Sequence, residues 1–115
     1  MPYMLLIVEP VGQRRDRSEA EGHRAYEQML RYADTLKARG VLRASESLGS
    51  GARRLQRRGG RSDIVDGPFA EAKEMVGGFF LLDAETEDEA LAIAAECPAA
   101  EWCSVEVRKI APCYA

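Results

Sequence analysis

Apolar residues fall along this chain in two rhythms, and the switches between them mark its elements. Residues 3–9 alternate, with Tyr3, Leu5 and Ile7 on one face and Met4, Leu6 and Val8 on the other. Both faces of that strand are apolar, so both need cover. Residues 18–39 change to helical spacing, with Tyr26, Met29, Leu30, Ala33 and Leu36 in one stripe. Ser18 and Glu21 form a capping box at its start, and Gly40 is a natural terminator. Residues 41–48 read as a loosely patterned second strand. Residues 53–58 and 61–66 flank Gly59-Gly60, a two-residue hairpin turn that sets Leu55 against Ile64 and Arg53 against Asp66. Residues 70–75 are expected to make one helical turn. Residues 76–84 form another strand that is apolar on both faces, around Phe79, Phe80, Leu81 and Leu82. A second helix is predicted over residues 86–97, with a capping box of Thr86 and Glu89, a buried side of Ala90, Leu91, Ala94, Ala95 and Cys97, and Pro98 as its stop. Residues 103–109 alternate again, Val105 and Val107 against Ser104, Glu106 and Arg108, as in a half-exposed strand.

With the hairpin set aside, the order is βαββαβ, the ferredoxin-like α+β arrangement of an antiparallel sheet with helices on one face. One domain over residues 1–115 is expected. Two helices cover only one sheet face, yet the strands at 3–9 and 76–84 are apolar on both. A homodimer packed sheet against sheet, of the dimeric α+β barrel type, would cover the second face.

Composition narrows the function classes. The chain has 115 residues, 46% hydrophobic and 30% charged, with net charge −3. That balance gives no global attraction to nucleic acid or to an anionic membrane. The longest apolar run, residues 4–8, is too short to span a bilayer. The first residues lack a basic-then-apolar signal pattern, so a cytoplasmic location is expected. Cys97, Cys103 and Cys113 are odd in number and include no Cys-x-x-Cys, which points away from a disulfide framework or a zinc knuckle. With a single histidine, no metal site and no cofactor are expected.

The densest signal is residues 66–82, DGPFAEAKEMVGGFFLL. Its DGPF turn and GGF strand entry, together with the opening YMLLIVE, the ARGVL helix exit and the closing SVEVRKI, resemble the YciI-related, DGPF-type domain family. The resemblance implies the same α+β fold and a dimer. It also implies a candidate active-site acid at Asp66. Some relatives are enzymes of aromatic-compound breakdown, and some DGPF proteins resemble partners of extracytoplasmic-function sigma factors. The helix histidine of the YciI-like branch would fall near Gln28 or Met29, not at His23.

The residues then suggest a cofactor-free acid–base enzyme acting on a small aromatic or carboxylate-bearing molecule. Asp66 would be the proton-transfer group, and Arg53, its cross-strand neighbour, would favour the charged form and hence a base. His23 is the side chain whose ordinary pKa lies nearest neutrality, and it could face a cleft with Tyr26. His23 and Asp34 are about 16 Å apart along their helix, so an acid partner for His23 must come from elsewhere. Turn formation by Asp66 and a solvated boundary position for His23 are the plainer alternatives. The arginines at 53, 54, 57, 58 and 61 crowd one hairpin and those at 14, 15 and 17 one loop. They suit a guarded sheet edge or an acidic partner such as a sigma-factor domain, which is the alternative, non-catalytic reading. Gly77-Gly78 precede a strand, so close backbone packing or a bulge is expected there and not a phosphate loop. Trp102 is expected to anchor a core or dimer interface, or to line a pocket.

Overall fold

The computed structural model describes residues 2–67 and 69–115. The proline of the DGPF turn thus lies outside the described residues. The elements are β1 (Pro2–Pro10), α1 (Glu19–Ala38), β2 (Leu42–Ser47), β3 (Arg53–Arg58), β4 (Arg61–Asp66), β5 (Glu74–Asp83), α2 (Glu87–Ala95) and β6 (Ser104–Lys109). A short 3-10 turn, Pro98–Glu101, joins α2 to β6. Four strands form an antiparallel sheet in the order β2-β5-β1-β6, while β3 and β4 pair separately. The doubly apolar strands β1 and β5 are the central ones, as burial on both faces demands. This is a ferredoxin-like α+β arrangement.

One sheet face carries the core. Leu5 and Ile7 of β1 and Phe80 and Leu82 of β5 pack with Tyr32 and Leu36 of α1 and with Ile93, Ala94 and Cys97 at α2. The Tyr32 ring meets Phe80 edge-on with centroids 5.2 Å apart, and its hydroxyl donates to the Ile93 carbonyl at 2.6 Å. Burial pushes the Tyr32 hydroxyl pKa upward, with Cys97 and Glu96 adding to it. One side chain therefore links α1, α2 and the sheet. The opposite face presents Met4, Leu6, Phe79 and Leu81, all half-buried and absent from that core.

The helix starts follow their caps. Ser18 and Glu21 exchange both bonds of the capping box, and the Ser18 bonds hold the Glu21 carboxyl below its ordinary value. At α2 the Thr86 hydroxyl accepts the Glu89 N–H, but the Glu89 carboxylate takes the Glu85 N–H, one residue upstream of the expected reciprocal bond. The helical turn expected at residues 70–75 does not form. Ala72 N–H closes a single turn on Phe69 O, after which Val11 N–H donates to Lys73 O and the chain enters β5 at Glu74. Pairing of Glu74 with Pro10 draws the segment into the sheet.

The hairpin stands apart. Arg53 faces Asp66 and Leu55 faces Ile64, with Gly59 and Gly60 both at positive φ in the turn. Every residue of β3 and β4 is exposed except the half-buried Arg54. Arg54 ties the hairpin down, pairing with Glu71 at 2.8 Å and lying 3.9 Å over the Phe69 ring. The radius of gyration is 16.0 Å, against about 13 Å for a compact chain of this length.

Candidate functional site

The inward row of β1 runs Tyr3, Leu5, Ile7, Glu9: three core residues and then a carboxylate in the same register. Glu9 is 5% exposed. A buried charge needs a partner, and the turn after β1 supplies it. Arg14 returns to place Nη2 2.5 Å from Glu9 Oε1 and 3.3 Å from Gly77 O, while Nη1 donates to Leu48 O at 2.7 Å. One guanidinium thus joins the ends of β1, β2 and β5.

Gly77 makes that junction possible. A Cβ there would collide with Glu9 Oε1 and lie 2.9 Å from Arg14 Nη2. At Gly78 a Cβ would come within 2.9 Å of the Glu46 carbonyl on β2. The β1–β5 register shifts between Ile7 and Val8, beside these glycines. The pair is therefore a bulge with close backbone packing, in line with its position before a strand.

Glu9 and Arg14 sit in a cleft of about 440 Å³ between α1 and the sheet, whose walls include Arg17, Tyr26, Met29 and Trp102. Oε1 of Glu9 is occupied by Arg14, whereas Oε2 accepts no hydrogen bond from the described residues and is not sealed from solvent. Trp102 is fixed by its carbonyl, which accepts from Gln13 Nε2 at 2.6 Å, and Arg17 lies 5.7 Å over its ring. Arg17 is steadied in turn by a 3.1 Å bond to Gln13 Oε1. Cys103 also lines the cleft. Burial, reinforced by the Glu9 carboxylate, pushes its thiol up to about 11, so it is not poised as a nucleophile. The arrangement offers a carboxylate acceptor, a guanidinium face and apolar aromatic walls in one concave space. A smaller hollow of about 170 Å³ shares Arg14 as a wall and lies against Arg15 and Phe69.

The residues expected from sequence fall in separate places. Tyr26 lines the cleft and is 52% exposed. His23 lies exposed on α1 and is not among the cleft-lining residues. Asp66 ends β4 and pairs with Arg53 at 2.8 Å, with both side chains more than two-thirds exposed. Neither residue lines either hollow. From the DGPF turn it is Phe69 that reaches a hollow. Glu9 and Arg14 were not singled out as a pair by sequence. The available signal was the odd-numbered register of Glu9, continuous with Tyr3, Leu5 and Ile7.

Among the described residues no group of three potential metal ligands converges, and no helix is long and apolar enough to cross a membrane.

Comparison with known proteins agrees with the architecture. The model of the YCII-related domain matches residues 1–113. The chain is also 42% identical over 59 residues to an uncharacterised protein of Rhizobium meliloti (strain 1021). That match covers 50% of this chain and 48% of the relative, so the chain spans about half the length of the curated relative it matches. With the family model covering all but the last residues, the chain belongs to the YCII-related family.

Proposed function

We propose that this chain is a small cytoplasmic protein that binds, and by acid–base chemistry turns over, a small partly aromatic molecule in the cleft between α1 and the sheet. The observation that carries the reading is the buried Glu9 carboxylate, one oxygen held by Arg14 and the other without a protein donor in a cleft walled by Tyr26, Met29 and Trp102. Such an acceptor suits a ligand presenting an N–H or O–H to Oε2 while its apolar part lies against the aromatic walls. Arg17, free of any carboxylate partner among the described residues, stands by for a ligand acid group.

Trp102 is the only tryptophan in the sequence and so reports directly on the cleft. Its fluorescence, titrated with phenethylamine and phenylacetate as probes, is expected to change with the amine. Glu9→Gln and Tyr26→Ala should weaken that response while the thermal melt stays cooperative. A response unaltered by both substitutions would sink the reading.

The acid of the DGPF turn offers a second reading, in which Asp66 moves the proton, Arg53 balances its charge and His23 assists. Its support is the Arg53–Asp66 pair placed at the turn itself. Asp66→Asn in the same titration separates the two, since the cleft reading expects no change. A regulatory module docking an acidic partner, such as an extracytoplasmic-function sigma-factor domain, draws on the arginine hairpin. Arg57→Glu with Arg58→Glu should then abolish capture of that domain. The uncovered sheet face, with Met4, Leu6, Phe79 and Leu81, is proposed to receive a second copy of the chain, giving a homodimer.

A further inference from the structure

The β3–β4 hairpin leaves an isolated two-stranded ribbon in water. Such a ribbon is marginally stable by itself and gains from a surface to lie on. On one of its faces the directly opposed pair Leu55 and Ile64 is 58% and 53% exposed. That pair is flanked on the same face by Arg53, ion-paired there with its opposite Asp66, on one side and by Arg57, which makes no ion pair among the described residues, on the other. The chain has a matching surface elsewhere. Glu46, Phe79, Leu6 and Glu106 lie in one row across β2, β5, β1 and β6 on the face that carries no helix. An apolar centre bordered by two carboxylates there suits an apolar pair with the cation Arg57 at its side, opposite Ser62 and not opposite an acid.

Net charge is divided the same way. Residues 53–66 hold five arginines and two aspartates, so they carry +3, while the remainder of a chain at −3 stands at −6. The dimensions agree: six residues of strand extend about 20 Å, and four strands span about 14 Å from first to last. The hairpin is long enough to cross the sheet.

We propose that the hairpin is an arm that lies on the helix-free sheet face of a second copy, placing Leu55 and Ile64 against Leu6 and Phe79. This rests on the two-copy assembly proposed above. Packing of sheets alone would leave both hairpins in water, whereas a two-fold exchange of arms covers the hairpin and part of the sheet face in both copies.

Sedimentation equilibrium on the full chain tests this. The wild type should be a dimer at micromolar concentration, and its association should weaken with added salt. The double variant L55D/I64D should raise the dissociation constant at least about tenfold, since two apolar side chains lose their cover. Both positions lie outside the core, and circular dichroism checks that each variant stays folded. Arg57→Glu should also weaken the dimer, and adding Glu46→Arg or Glu106→Arg to it should restore association in part. If the wild type dimerises and L55D/I64D dimerises equally well, the arm is overturned while the sheet-face assembly survives, and the hairpin is left for another acidic partner. A monomeric wild type overturns both.

Discussion

Two arginine–carboxylate pairs, one in the cleft and one on the hairpin, have nearly the same contact geometry and opposite surroundings. Arg14 meets Glu9 at 2.5 Å, and Arg53 meets Asp66 at 2.8 Å. The Glu9 side chain is 7% exposed, whereas that of Asp66 is 77% exposed. Water screens the hairpin pair and competes for its hydrogen bonds, so its worth is about 0–1 kcal/mol. In the cleft the carboxylate has given up most of its hydration and depends on Arg14, which in turn is held by two backbone carbonyls. Contact distance alone does not separate these pairs. Burial does, and burial is what equips a group to act on a ligand in place of water.

The contrast is most sharply tested at Gly77. Gly77→Val would drive a side chain into the space held by Glu9 and Arg14. It should lower unfolding free energy by roughly 2–3 kcal/mol in denaturant melts and abolish the Trp102 response to phenethylamine. Arg14→Met should follow at roughly 2 kcal/mol. That is below the full cost of stranding a dry charge, because the Arg14 side chain is itself about a third exposed. A neutral result for Arg14→Met would erase the distinction between the two pairs. Tyr32→Phe, which removes the bond to Ile93 O from the core, should cost about 1 kcal/mol and leave the cleft response intact. Asp66→Asn should stay within about 0.5 kcal/mol of wild type.

The thiols extend the same comparison to pH. Cys113 is exposed, Cys103 half-buried and Cys97 buried, and the latter two have pKa values raised chiefly by burial. At mildly alkaline pH a maleimide should label Cys113 first, with Cys103 well behind. Because the folded Cys103 keeps its proton up to about 11 while an unfolded thiol releases it near 9, its contribution to stability is present below pH 9 and declines towards 11. Chemical melts across that range should show the fall.

Much of the fold could be read from the chain because its signals are local. Period-two alternation around Leu5 and Phe80 marked the central strands, Ser18 and Glu21 marked the start of α1, and Gly59-Gly60 marked the hairpin turn. The segment at residues 70–75 misled because a short polar run satisfies a helical turn as well as a strand entrance. There the sheet decided, through the bond from Val11 N–H to Lys73 O. The cleft was harder to read. A glutamate at a strand end ordinarily faces water, and its meeting with Gly77 depends on β5 returning beside β1. Tyr26 and Trp102 carried a local signal, whereas the Glu9–Arg14 pair needed the strand register and the turn after Pro10 together. The motif acid Asp66 drew attention to the hairpin, while the structure places its buried carboxylate at the other end of the β1 pattern.

Whether the Glu9 cleft is the binding site is read most directly from a proton–nitrogen correlation spectrum of the isotope-labelled chain titrated with phenethylamine. Shifts should concentrate at Glu9, Arg14, Tyr26, Met29 and the Trp102 indole, vanish in Glu9→Gln and persist in Asp66→Asn. Shifts confined to the hairpin and His23, with the cleft silent, would contradict binding there.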